Sequence, residues 1–283
     1  MQALTSGNEK TRTEDLWVLL DALRTLVPFT FASFGYNEWL VLQNIPITLT
    51  NKRNGEFDYN PNDAVDQKLR GELIQAYNYN EPGYILGLCC RCCHGDDVFF
   101  AMKELAARDD SKLTWSNIFT HNNYGYFRTM VLPTFSTYDD VHLVCNNKAD
   151  CSRLPFRVDN VYGIGTNAWR EDFGLSKTLP RVDTRVNKNR RRLFLLCAGP
   201  LGGILARRMH YSCPDSTCLD LGSALDPWLF PGARGLTRDY LLSDEVRRRA
   251  CWWNTQGIPN PESSDCSVSS YADGDYYDSS CSC

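Results

Sequence analysis

Apolar positions recur at helical spacing early in the chain, where Leu16, Leu19, Leu20, Leu23 and Leu26 share one face. Thr13, followed by Glu14 and Asp15, suits an N-cap, and Pro28 stops the run, so a helix is expected between them. Phe29 to Phe34 reads as a short buried strand, Gly35 breaks it, and Glu38 to Leu42 begins a new helical turn. A second amphipathic helix is predicted over Asp63 to Tyr77, with Val65, Leu69, Leu73 and Ala76 facing inward. Tyr84 to Leu88 reads as a strand and Val98 to Ala107 as a helix. Val141 to Cys145, Leu193 to Cys197 and Thr217 to Leu221 are further short apolar runs. Ala198-Gly199-Pro200 leads from the second of these into a helix through Arg208. Strands alternating with helices predict an α/β, Rossmann-like fold with a largely parallel sheet flanked by helices.

Length and composition set the frame. A chain of 283 residues, 43% hydrophobic and 23% charged, has the profile of a globular domain with tails. Residues 1–10 are expected to form a flexible tail and 11–254 the folded domain. The stretch 255–283 carries acids but no Lys or Arg and few aliphatics, so it is expected to be disordered. No apolar run approaches the roughly 18 residues that cross a bilayer, and the N-terminus lacks a secretory pattern. The thirteen cysteines are not spaced as a secreted scaffold, which favours reduced thiols in a cytoplasm. A net charge of −4 gives no global reason to expect nucleic acid as a partner.

Four segments can carry chemistry. In Ser33-Phe34-Gly35-Tyr36-Asn37-Glu38, a strand turns into a helix at the edge where α/β sheets place ligands. Glu38 can serve there as metal ligand, acceptor for a sugar hydroxyl or general base; equally, it can be an N-terminal Glu stabilised by the helix dipole. In Cys197-Ala198-Gly199-Pro200-Leu201-Gly202-Gly203, glycines between strand and helix suit either a phosphate cradle or a plain tight turn. Arg185, Lys188, Arg190, Arg191, Arg192, Arg207 and Arg208, in an acid-free stretch, form either an anion-attracting patch or a solvated basic face. Asp220 lies near a strand end and Asp226 one loop later, before Pro227; the two can hold a cation or orient a sugar, or Asp226 can cap a turn. Finally, Cys89-Cys90-Arg91-Cys92-Cys93-His94 offers either zinc ligands or small packed thiols.

Taken in order, these segments resemble the GT-D-type glycosyltransferases. The matching stretches are Phe34-Gly35-Tyr36-Asn37-Glu38, Asn122-Asn123-Tyr124, Ala198-Gly199-Pro200-Leu201-Gly202, Asp220 to Pro227 and Arg238-Asp239-Tyr240. Trp115 to Phe119 and Thr166-Asn167-Ala168-Trp169 are also similar to that family, so the likeness runs from about residue 15 to 250. The resemblance implies transfer of a sugar from a nucleotide donor, typically a UDP-sugar, to a glycan or glycoprotein acceptor. It implies Glu38, Asp220 and Asp226 as catalytic carboxylates. Gly35, Tyr36, Asn37, Gly199, Pro200, Leu201, Gly202, Ser223, Arg238 and Tyr240 would contact the donor, and Asn122, Asn123 and Tyr124 would line the acceptor side. The family holds the diphosphate through an Asp-x-Glu motif with Mn²⁺ or Mg²⁺. Here Glu38 keeps the Glu position as the metal ligand, while Tyr36 stands where the Asp is expected.

Overall fold

The computed structural model describes residues 12–48, 57–165, 167–171 and 190–230. Seven parallel strands form one sheet: β1 (Thr30–Ser33), β2 (Tyr84–Leu88), β3 (Leu113–Trp115), β4 (Asp140–Asn146), β5 (Asn160–Ile164), β6 (Arg192–Leu196) and β7 (Thr217–Asp220). Their order is β3-β2-β1-β7-β6-β4-β5. Strands β2, β6 and β7 are buried at every position, as a sheet covered on both faces requires.

The helices are α1 (Arg12–Thr25), α2 (Tyr36–Leu42), α3 (Ala64–Tyr77), α4 (Arg91–Ala106), the short α5 (Tyr124–Tyr126), α6 (Ala168–Glu171), α7 (Pro200–Ser212) and α8 (Asp226–Leu229). Helices α2, α3, α4 and α7 supply one apolar core, with Trp39, Leu73, Met102 and Leu205 among its members. Helix α1, the segment around α5 and helix α8 supply the other, with Leu19, Phe127 and Leu229. The connections after β1 and β6 therefore leave toward one face, while the connection after the intervening β7 leaves toward the other. Such divergence opens a crevice at the carboxyl edge of a parallel sheet. Asp220, buried, is the last residue of β7 at that edge.

The Rossmann-like expectation matches this architecture, and most predicted elements fall in place. Leu16, Leu19, Leu20 and Leu23 are fully enclosed, each gaining about 2 kcal/mol from burial. Leu26 lies past the helix end in a left-handed turn (φ 57°). Val65 does not face inward. It is 38% exposed, and its neighbour Asp66 takes the inner position. There the Asp66 carboxylate receives Arg170 at 2.7 Å and the Asn60 amide at 2.7 Å. Helix α4 starts at Arg91, seven residues ahead of the predicted Val98, with a break at Gly95 (φ 80°) that interrupts its pattern.

Strands β3 and β5 have no counterpart in the sequence reading. One is three residues long; the other lies at the sheet edge and alternates exposed and buried positions. Gly87 in β2 explains how β3 docks. A Cβ there would stand 2.8 Å from Ser116 Cα and 2.9 Å from the Phe31 ring. Gly87→Ala is expected to cost about 2 kcal/mol, measured by urea unfolding, since the short edge strand can yield part of the overlap. An unchanged midpoint would contradict that close approach.

Candidate functional site

Helix α2 begins at the carboxyl end of β1, and its third residue is Glu38. The side chain turns back so that Glu38 Oε2 accepts the Gly35 N–H at 2.9 Å, satisfying one amide the helix start leaves open. The residue keeps some exposed surface, yet its carboxyl group is enclosed. Desolvation dominates and lifts its pKa to about 7, against the pull of the Gly35 and Glu38 amides.

Asp220 ends β7, the neighbour of β1 in the sheet, and lies near enough to Glu38 to feel its charge. Its carboxylate accepts the Ser33 N–H at 3.3 Å and the Gly222 N–H at 3.3 Å. Burial pushes its pKa well up, and the nearby Glu38 charge pushes it further. The Glu38 charge thus disfavours ionisation of Asp220, and two carboxyl groups at one strand edge suit holding a proton or welcoming a cation.

The glycines after β6 divide by role. Gly199 is exposed, has φ 55° and ψ −143°, and has open space where a Cβ would stand, so it makes the turn. Gly202 and Gly203 are packing glycines. A Cβ on Gly202 would meet both Asp220 carboxylate oxygens at 2.7 Å, and one on Gly203 would meet the Phe34 ring at 3.0 Å. In the first turn of α7, Pro200 has no N–H and the Gly202 N–H donates to Gly199 O at 2.7 Å. The turn therefore offers an anion fewer amides than its glycine content suggests. Leu201 is buried among apolar neighbours.

Asp226, at the start of α8, is buried. Its charge and that of Asp220 both act on the Cys197 thiol, which is held well above its usual pKa by burial first and by Cys145, Asp226 and Asp220 next. Sequence reasoning passed over Cys197 because a cysteine closing an apolar strand carries no local signal. Gly222 (φ 52°) and the half-buried Ser223 form the turn between Asp220 and Asp226, with Ser223 O accepting the Asp226 N–H at 3.1 Å.

Tyr36 and Asn37 are half-buried beside Glu38. The Tyr36 ring lies flat on His94, with centroids 4.5 Å apart and planes 2° from parallel. His94 thus joins the crevice from the start of α4. Cys89 and Cys90 are buried, and the Cys89 thiol points to Phe34 O at 3.9 Å. The side chains of Cys92 and Cys93 lie outside those described. Among the described residues, no three His, Cys, Asp or Glu side chains group as a metal site.

Asn123 and Tyr124 lie at the start of the α5 segment, and Tyr124 reaches the turn that follows β7. Both are buried; Asn123 donates to Ile118 O at 3.0 Å and Tyr124 donates to Ala224 O at 3.0 Å. Here they brace the α5 segment and the β7–α8 turn rather than form an open wall. The side chain of Asn122, together with Arg238 and Tyr240, falls outside the described residues.

The basic stretch does not converge on the crevice. Arg191 pairs with Asp139 at 2.9 Å and Arg190 with Asp140 at 3.9 Å, at the amino edge of the sheet. Arg207 and Arg208 both reach Glu72, at 3.6 and 3.1 Å. An open cleft of about 440 Å³ runs there between α3 and α7, lined also by Tyr79 and Tyr211. It lies at the opposite end of α7 from Gly199. Arg185 and Lys188 are outside the described residues.

The fold and its edge define an α/β protein with a parallel sheet and paired carboxyl groups in a carboxyl-edge crevice. No family model matches the chain, and no curated protein does. Among solved structures, the chain is similar to the domain of unknown function 1792, described as having a distinct glycosyltransferase fold. Sequence identity is 14%, covering 72% of this chain and 75% of that one, with a TM-score of 0.45.

Proposed function

We propose that this chain is a glycosyltransferase that takes its sugar from a nucleotide-sugar donor, with a UDP-sugar as the first candidate and a glycan or glycoprotein as acceptor. The observation that carries this reading is the Glu38–Asp220 pair in the crevice between β1 and β7, with the exposed Gly199 turn beside it. The order of short motifs in the sequence adds support.

A donor diphosphate at the start of α7 would stand close to Asp220, which presses on Gly202. Two like charges there repel, so Asp220 must be protonated or share a cation when the donor is bound. Its raised pKa agrees with the first state. The donor set also fits the second: a hard cation such as Mn²⁺ or Mg²⁺ takes one or two protein carboxylates and completes its shell with water and phosphate oxygens. Glu38 and Asp220 would hold it, and it would supply neutralising charge for the departing diphosphate. Tyr36, stacked on His94, offers a phenol where a third carboxylate would stand. Asp226 is the carboxylate assigned to the acceptor hydroxyl, as general base.

Transfer and hydrolysis with a panel of nucleotide sugars test this reading. Glu38→Gln and Asp226→Asn are each expected to lower turnover at least tenfold, about 1.4 kcal/mol of barrier, with the fold retained. Unchanged rates would remove both residues from the mechanism. The Tyr36–His94 stack favours one second reading, a nucleotide- or glycan-binding protein without catalysis. Calorimetric UDP binding with no turnover across the panel would select it.

A further inference from the structure

Cys145 ends the buried part of β4, and Cys151 opens the single turn that follows the β4 loop. Both are unbridged thiols, and their sulfurs lie 3.8 Å apart. The backbone fixes each of them. Asn147 N–H donates to Ile164 O at 2.9 Å, Ala149 N–H to Asn146 O at 2.9 Å and Asp150 N–H to Leu229 O at 2.9 Å. The sulfurs thus face each other across a short, hydrogen-bonded loop, and closing to a bond of about 2.05 Å asks for a movement of under about 2 Å.

We propose that Cys145 and Cys151 are a modification site: a dithiol that closes to an intramolecular disulfide by exchange with a small-molecule disulfide. The half-exposed Cys151 is the thiol that meets the oxidant, and Cys145, 1% exposed, is the resolving one. In the first step Cys151 sulfur attacks the small disulfide, its S–S bond breaks and one small thiol leaves with the Cys151 proton. In the second, Cys145 sulfur attacks Cys151 sulfur and expels the second small thiol, which takes the Cys145 proton. The protein loses two protons and two electrons, and the small disulfide gains them. Burial and the neighbouring Cys151 push the Cys145 thiol up in pKa, so closure is slow near neutrality and faster as pH rises. Because Asp150 is bonded to Leu229, the bridge acts on the turn that carries one end of α8, the helix that begins at Asp226.

The test uses the full chain, reduced and then treated with excess oxidised glutathione, with remaining thiols alkylated before digestion by trypsin. Lys148 lies between the two cysteines, so cleavage separates them. The expected product is peptide 129–148 joined to peptide 149–153, two hydrogens lighter than their sum and released by dithiothreitol. The Cys197→Ser variant should give the same product. A glutathione adduct that persists on Cys151, a link from Cys197 to either cysteine, or two alkylated thiols would each overturn the proposal. Hydrogen exchange over residues 226–230 should differ at least twofold between the two forms; equal exchange would overturn the coupling to α8.

Discussion

Gly202→Ala is expected to destabilise the protein by about 3 kcal/mol, although alanine is the better helix former by about 1 kcal/mol. The added methyl would meet both oxygens and Cγ of Asp220 at 2.7–2.8 Å. Asp220 has little room to retreat, since its oxygens are tied to the Ser33 and Gly222 amides and β7 is a central strand. A double-mutant cycle isolates the cause. In an Asp220→Ala background the same Gly202→Ala change should be neutral or stabilising by up to about 1 kcal/mol, because only helix propensity remains. Denaturant midpoints of the four proteins decide the matter. An equal penalty in both backgrounds would mean that the glycine is needed for another reason.

The second large effect is in the pH dependence of stability. The folded-state pKa of Glu38 is about 7, against an ordinary 4.5. A carboxyl group with a raised pKa is protonated in the folded chain and ionised in the unfolded chain between those values. Folding then takes up a proton, so stability falls as pH rises from 4.5 to 7. The full loss is on the order of 3 kcal/mol, and Asp220, raised as well, acts in the same direction. His142 acts in the opposite sense. Its pKa is lowered, by burial first, despite Asp140 and Asp159 and with Arg192 adding to the depression, so acid destabilises through it. Comparing wild type with Glu38→Gln cancels that background. The variant should match wild type near pH 5 and exceed it by about 2 kcal/mol near pH 8. Parallel profiles would show that Glu38 is not desolvated in the folded chain.

The sequence carried the sheet well wherever strands are buried on both faces. The runs at β1, β2, β6 and β7 are short, apolar and bounded by glycine or polar residues, and their neighbours in the chain are helices. It carried the edges poorly, because β3 is too short and β5 too exposed for a pattern to form. At the site, strand ends and helix starts were legible, and so were Glu38 and Asp220 as edge carboxylates. Only the family resemblance placed them in one site; residue spacing alone does not, since their approach depends on β1 and β7 becoming neighbours across 187 residues. The glycine run reads two ways in sequence for a physical reason: close helix–strand packing and phosphate binding both call for residues without a Cβ. Only the space around Gly202 and Gly203 tells the two apart.

Equilibrium binding of UDP with Mn²⁺ near neutral pH, in wild type and Glu38→Gln, tests the crevice most directly. Saturable binding in wild type, weakened at least tenfold in the variant and lost when the cation is withheld, is the predicted result. No binding to wild type, or equal affinity in both proteins, would contradict a donor site built on Glu38 and Asp220.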